Sequence, residues 1–269
     1  MIDFFLKPLG GVNSDLTRDQ LQVWKNTQGN EFRKKPPGIV VDELNHGTLN
    51  LNDDYQLYAN LTDLPKKFTV TSPYMLSKMV ANEFYPDTAA LVNALGDLLG
   101  EQVAGIEADV IQVDEANVTG APHDGAIAAE GINRILRRVK TTSAVHLCFG
   151  NYGGQTIQQG EYDLLVEFLN ALEADHVVLE MARRPDAELT ILERIDPAIE
   201  IGLGVIDIKD NGVESAETVA RRIEEAANVI GAERIAYVHP DCGFWMLPRS
   251  VADAKMAALR EGRDLYTGA

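Results

Sequence analysis

Six short apolar runs, each followed by text with helical phase, restrict what this chain can fold into more than any other feature. The runs are KFTVTS from Lys67, ADVIQVD from Ala108, SAVHLC from Ser143, DHVVLE from Asp175, EIGLGVIDI from Glu200 and RIAYVHP from Arg234. Between them lie DTAALVNALGDLLGEQVAG with Asp87 as N-cap, AIAAEGINRILRRV, EYDLLVEFLNALEA, and SAETVARRIEEAANVIG, which opens at Ser215 and closes on Gly231. In the third segment Leu164, Leu165, Phe168, Leu169 and Leu172 fall on one stripe at helical spacing, which reads as a core face. Nearly continuous apolar strands alternating with helices predict an α/β protein with a buried parallel sheet and right-handed crossovers. A doubly wound sheet and a (β/α)8 barrel both satisfy this pattern.

The first 65 residues differ. KKPPGIVVDEL sits among polar, turn-rich text; Ile39 to Leu44 can form a strand, and Pro36 and Pro37 before it predict an edge or hairpin position. With 269 residues, one domain spanning 1–269 is expected, an irregular or hairpin part over 1–65 followed by six βα units over 66–269. Charge narrows the partners. Lys and Arg number 24 against 41 Asp and Glu, and the net charge of -17 repels nucleic acid and anionic lipid surfaces. No apolar run reaches the roughly 20 residues of a membrane span, and MIDFFLKPLGG lacks the basic start and cleavage site of a secretory signal, so a cytoplasmic location is expected. Trp24 and Trp245 read as packing residues.

Two cysteines in such a chain do not make a disulfide framework; each is a buried thiol, a ligand or a nucleophile. One of them lies in AVHLCFGNYGG, where His146 and Cys148 stand two apart and therefore on one face at the end of a predicted strand. Strand C-terminal ends are where α/β folds keep their sites. Cys242, in AYVHPDCGF, and Glu180, ending HVVLE, also stand at predicted strand ends. Zinc accepts such a mixed set of thiolates, imidazole and carboxylate. A packed histidine beside a buried thiol is the other reading of His146 and Cys148, and His239, close to Cys242, is a competing ligand that its neighbour Pro240 marks as structural. GNYGG can offer backbone amides to an anion or serve only as a turn.

These segments carry a resemblance. VHLCFGNYGG, VVLEMARRP, IGLGVIDIKDNGVES and VHPDCGFWMLPR resemble, in order, the site segments of the cobalamin-independent methionine synthase family in its catalytic C-terminal domain. IQVDEANV, RKKPPGIV and FTVTSPYML fall in family order too, so the similarity runs essentially from residue 1 to the C-terminus. The resemblance implies a zinc-containing (β/α)8 TIM barrel that activates a thiol for alkylation. His146, Cys148, Glu180 and Cys242 would bind zinc, and Asp114 would meet the amino group of an amino-acid thiol such as homocysteine. Thiol binding to zinc removes the proton, and the thiolate then attacks an electrophilic carbon.

Three departures qualify the resemblance. Lys209 in DIKDN stands where the family carries a histidine linked to its folate donor, which points to a non-folate donor; Lys209 either orients an anionic donor or substrate, or is solvated or paired with Asp210. Ala116 replaces a family proline. Finally, the family's first two barrel strands have no counterpart here, so the six strands correspond to the third to eighth, and another chain is expected to close the barrel: a small partner subunit or a swapped second copy. The function implied is methylation of a thiol, homocysteine first. The alternatives are thiol–epoxide alkyl transfer of the kind that uses coenzyme M, and a non-catalytic zinc subunit of a methyl-transfer complex.

Overall fold

A computed structural model describes residues 2–27, 35–151 and 158–269. The chain divides into two compact units, residues 1–115 with 126–143 and residues 116–125 with 144–269.

The first unit runs α1 (Ile2–Leu6), β1 (Gly10–Asn13), α2 (Arg18–Thr27), β2 (Ile39–Asn45), α3 (Leu51–Ala59), β3 (Lys67–Thr71), α4 (Pro73–Met79), β4 (Ala81–Asn82), α5 (Thr88–Val103), β5 (Val110–Glu115) and α6 (Gly125–Leu136). β3 and β5 pair in parallel, Lys67 opposite Val110 and Thr71 opposite Asp114. β2 occupies the centre of a three-stranded sheet, antiparallel to β1 and parallel to β4, which corrects the edge reading drawn from the prolines. Both prolines precede the strand, so no ladder donor is lost where β2 pairs. Asp87 caps α5 as expected, its Oδ1 accepting the Ala90 N–H at 2.8 Å. α5 and α6 approach closely because Gly96 faces the Gly131 backbone: a Cβ at Gly96 would stand 2.7 Å from the Gly131 carbonyl oxygen.

The second unit runs β6 (Thr142–Leu147), α7 (Val166–Asn170), β7 (His176–Leu179), β8 (Glu200–Ile206), α8 (Ala216–Ile230), β9 (Ile235–Pro240) and α9 (Arg249–Thr267). β6 to β9 pair successively in parallel. β7 is buried throughout, and β6 and β8 along almost their whole length, as strands covered on both faces must be. Ser215 caps α8 through its Oγ, 3.2 Å from the Thr218 N–H, and Gly231 closes the helix at φ +85°. All six expected strands are present. The helix expected over 161–174 is instead a 3-10 turn over Tyr162–Leu165 leading into the five-residue α7, and Leu164, assigned to the apolar stripe, is 61% exposed. The tighter turn rotates Leu164 off the core face while Leu165, Phe168, Leu169 and Leu172 stay buried. Trp24 is buried, whereas Trp245 is 67% exposed and packs no core.

A buried ionic cluster secures the loop after β8. The fully buried Lys255 of α9 donates to the Gly212 carbonyl and, at 2.9 Å, to Glu214. The other oxygen of Glu214 accepts the Asp207 N–H at 2.7 Å. Removing one partner of a buried pair strands the other charge, so Lys255→Met is expected to cost about 3 kcal/mol of stability in urea denaturation; a loss below about 1 kcal/mol would show that the cluster does not hold the loop.

Candidate metal centre

The second unit assembles its polar groups at the C-terminal ends of its parallel strands. His146 points from β6, and its Nδ1–H donates to the Val178 carbonyl of β7 at 3.1 Å. A carbonyl only accepts, so this bond fixes the tautomer and leaves the ring lone pair on Nε2. Cys148 follows the end of β6 and is buried; Cys242 follows the end of β9 and is partly exposed. The ligand atoms of His146, Cys148 and Cys242 all lie within 4.8 Å of one another. Ligands at ordinary Zn–S and Zn–N lengths stand roughly 3.5–4 Å apart in a tetrahedral site, so closing on an ion takes only a small contraction.

The thiols are unlike. Cys242 is held well below the usual thiol range, first by the hydrogen bond from Cys148 and then, against burial, by His146. Cys148 is pushed up by the same hydrogen bond and by burial. The opposite shifts make Cys242 the more readily ionised of the two thiols. Asn151 links their loops, its Nδ2 donating to the Gly243 carbonyl at 3.2 Å.

Glu180 stands one residue beyond β7 but outside the three-residue cluster. Its Oε2 accepts the Phe149 N–H at 3.2 Å, and its Oε1 accepts from Lys209 Nζ at 2.5 Å. The Lys209 and Glu180 side chains are only 2% and 3% exposed. Lys209 is therefore neither solvated nor paired with Asp210, which corrects that reading: the turn after β8 directs it toward the neighbouring end of β7. His239 donates its Nδ1–H to the Pro240 carbonyl at 2.7 Å and lies outside the cluster, in keeping with a structural role.

Asp241 is the important residue that the sequence reading overlooked. It is 1% exposed, and its Oδ1 accepts the N–H groups of Met181 at 3.0 Å and Ala182 at 2.9 Å, so it pins the segment that carries Glu180. Burial raises its carboxyl to about 8 against the opposing backbone bonds. Its position next to Cys242, beyond an apolar strand, was the available signal. Gly204 of β8 makes room for it: a Cβ there would stand 2.4 Å from Asp241 Oδ1 and 2.6 Å from the Leu179 carbonyl oxygen. Tyr162 adds a further tie, its hydroxyl lying 3.2 Å from the Glu180 carbonyl oxygen and 3.4 Å from that of Leu147.

Asp114 belongs to the other unit and is half-buried at the end of β5, where its Oδ1 accepts from Gln112 Nε2 at 2.7 Å. The amide proposal for GNYGG falls partly on Tyr152 to Gly154, outside the described residues.

A parallel α/β protein that gathers two thiols and an imidazole at its strand ends defines a class: barrel-type proteins with a site able to hold a metal ion. A model of the family described as the cobalamin-independent synthase, catalytic domain, matches residues 1–264, and the chain belongs to that family. Curated relatives include the methionine synthases of Pyrococcus abyssi, 28% identical over 88% of this chain and 66% of that protein, and of Thermococcus kodakarensis, 28% identical over 91% and 69%. The chain thus spans about two thirds of the length of these relatives. The structure of a B12-independent methionine synthase from Shewanella sp. W3-18-1 in complex with selenomethionine superposes with a TM-score of 0.77 at 19% identity, covering 98% of this chain and 78% of that one. The fold is therefore of the TIM-like barrel type that the sequence predicted.

Proposed function

We propose that this chain is the core of a zinc-dependent thiol methyltransferase, with homocysteine as acceptor and a donor other than folate, working in the cytoplasm as a single barrel domain. The observation that carries the reading is the cluster of His146, Cys148 and Cys242, with ligand atoms within 4.8 Å and the histidine tautomer already set by the Val178 carbonyl. The donor chemistry suits zinc: two sulfurs and one imidazole nitrogen are borderline-soft ligands of the kind it prefers. The bound ion would supply Lewis acidity that lowers the pKa of an incoming thiol while leaving its sulfur nucleophilic. The chain's own residues do the rest. Asp114 would receive the ammonium group of the amino-acid thiol, and the buried side chains around Phe149 and Tyr162 would keep water from the strand ends. The names of the relatives point the same way, being methionine synthases.

Zinc K-edge absorption of the purified protein tests this reading. Bound zinc whose coordination gains a sulfur on adding homocysteine supports it. A zinc site that does not respond assigns the chain to the non-catalytic alternative, and zinc-free, carefully prepared protein removes the reading altogether.

The same reading includes a missing complement. Among the described residues β3 has one ladder neighbour, β5, and β9 has one, β8. Unlike β7, β9 is only half-buried, with Tyr237 47% exposed. Beside it lies an open cavity of about 620 Å³ lined by Ile235, Tyr237, Met256, Leu259 and Tyr266. A parallel strand left in this condition calls for another strand against it. The occupant we assign is an apolar strand-and-helix segment of a small partner subunit; a swapped second copy is the other arrangement. Size-exclusion chromatography of the protein produced alone is expected to show a dimer or poorly folded material, and a stable, well-folded monomer would overturn the assignment. Among the described residues no helix is long and apolar enough to cross a membrane.

A further inference from the structure

We propose that Gln112, set by Lys67, is a positioning residue that holds the Asp114 carboxylate turned to receive an ammonium group. The chain of three makes the site select an amino-acid thiol over one without the amino group. The inference rests on the reading of Asp114 given above and adds how its carboxylate is prepared. All three residues lie within the first unit. β3 and β5 pair with Lys67 opposite Val110, Thr69 opposite Gln112 and Thr71 opposite Asp114, so side chains at these positions share one face. Along that face Lys67 Nζ donates to Gln112 Oε1 at 2.9 Å, and Gln112 Nε2 donates to Asp114 Oδ1 at 2.7 Å.

The ends of the chain force its direction. An ammonium group only donates and a carboxylate only accepts, so a reversed amide would set N–H against Lys67 and a carbonyl oxygen against Asp114. Lys67 therefore selects the one orientation of the buried Gln112 amide that gives Asp114 a donor. Another donor stands close by. Thr71 lies directly across the ladder from Asp114, and among the described residues its buried hydroxyl has no hydrogen-bond partner. The carboxylate is thus held by Gln112, two residues back on its own strand, and not by the cross-strand hydroxyl. Because the last link is a neutral amide, Asp114 keeps its negative charge for an incoming ammonium, whereas a lysine seated on it would neutralise that charge. A carboxylate fixed before the substrate arrives also loses less side-chain freedom on binding it.

Isothermal titration calorimetry of the intact protein with homocysteine and with 4-mercaptobutanoate, the same thiol acid without the amino group, measures the selection. The parent is expected to prefer homocysteine and Asp114→Asn to lose that preference. Gln112→Leu is expected to lower the preference by about 10-fold, through homocysteine affinity alone. Lys67→Met leaves the amide without its anchor and is expected to lower it by about 3-fold, while Lys67→Arg, which still presents a donor, keeps it. A side chain that only supports the strand would weaken both thiols together. A preference kept in Gln112→Leu or in Lys67→Met while Asp114→Asn abolishes it overturns the proposal and leaves the reading of Asp114 in place, and so does equal weakening of the two thiols. A parent without preference, or an Asp114→Asn protein that keeps it, removes the reading of Asp114 and the proposal with it. Circular dichroism identifies an unfolded Gln112→Leu protein. Lys67→Met and Lys67→Arg then decide, with loss in the first alone expected and equal values in the two overturning the idea.

Discussion

Cys148→Ser and Cys242→Ser are each expected to lose zinc affinity by more than about 100-fold and to fall to background in methyl transfer. The magnitude follows from what is removed. Outer-shell partners of a metal ligand already account for roughly 10- to 100-fold in metal affinity or activity, and a direct ligand must count for more. Serine is nearly isosteric with cysteine but carries a hydroxyl that stays protonated at neutral pH, so it cannot present the anion the site needs. The two positions are expected to differ in detail. Cys242 is the thiol held below the usual range, by the Cys148 hydrogen bond and by His146, so its loss removes the more readily ionised ligand of the pair. Cys148 is the deeper of the two. Inductively coupled plasma analysis of dialysed protein gives the metal content directly. Variants that keep stoichiometric zinc through dialysis against a chelator would show that the cluster is not the binding site.

The second large effect concerns the substrate's polar end. Asp114→Asn is expected to lower kcat/KM for homocysteine by about 10- to 150-fold, the value of a hydrogen bond to a charged group, with the loss mainly in KM. A thiol of similar length without the amino group is expected to be turned over equally by both proteins. That contrast is the informative part, because a variant damaged in folding loses both activities. Lys67, whose ammonium is pushed down by burial and partly restored by Asp114, would lose part of its support in the variant, so thermal denaturation must accompany the kinetics. Equal loss with the two thiols would show that Asp114 supports the strand end rather than the substrate.

Much of this architecture was legible in the text because parallel strands advertise themselves. VIQV, AVHL, VVL and GLGVI are apolar at nearly every position, a pattern only a strand buried on both faces requires, and each became a strand within two residues of its expected bounds. Asp87 and Ser215 were legible as caps for a local reason, since a short oxygen-bearing side chain before a helical stripe satisfies its first amides. α9 went unremarked even though Pro248 and an alanine-rich run precede and fill it, because no apolar stripe as regular as that of α8 drew attention to it. The 3-10 start of the Tyr162 segment was not legible, as its helical spacing is shared by both helix types for a single turn.

For the site, the placement of His146, Cys148, Glu180 and Cys242 at strand ends followed from strand prediction alone. What could not be read was which of them touch. Cys148 and Cys242 are 94 residues apart in number, and whether they meet depends on strand order and loop path, not on local pattern. In the sequence Lys209 reads either as orienting an anionic donor or substrate or as a rim lysine solvated or paired with Asp210, whereas its ion-pair partner is carried at the end of the adjacent strand. An ion pair between neighbouring strand ends leaves no mark in either segment, since each residue alone looks like an ordinary rim charge.

The open margin of β9 has a consequence for how the protein must be made. Among the described residues β8 is the one ladder neighbour of β9, which leaves the strand's other side and the apolar trough beside it to an incoming strand. Any identical margin on a neighbouring molecule is then a competitor for them, and at high concentration the outcome is edge-to-edge stacking into insoluble material. Under the proposed complement, simultaneous translation with a second polypeptide carrying such a strand would cover that margin before stacking begins, and mixing of separately purified parts would not.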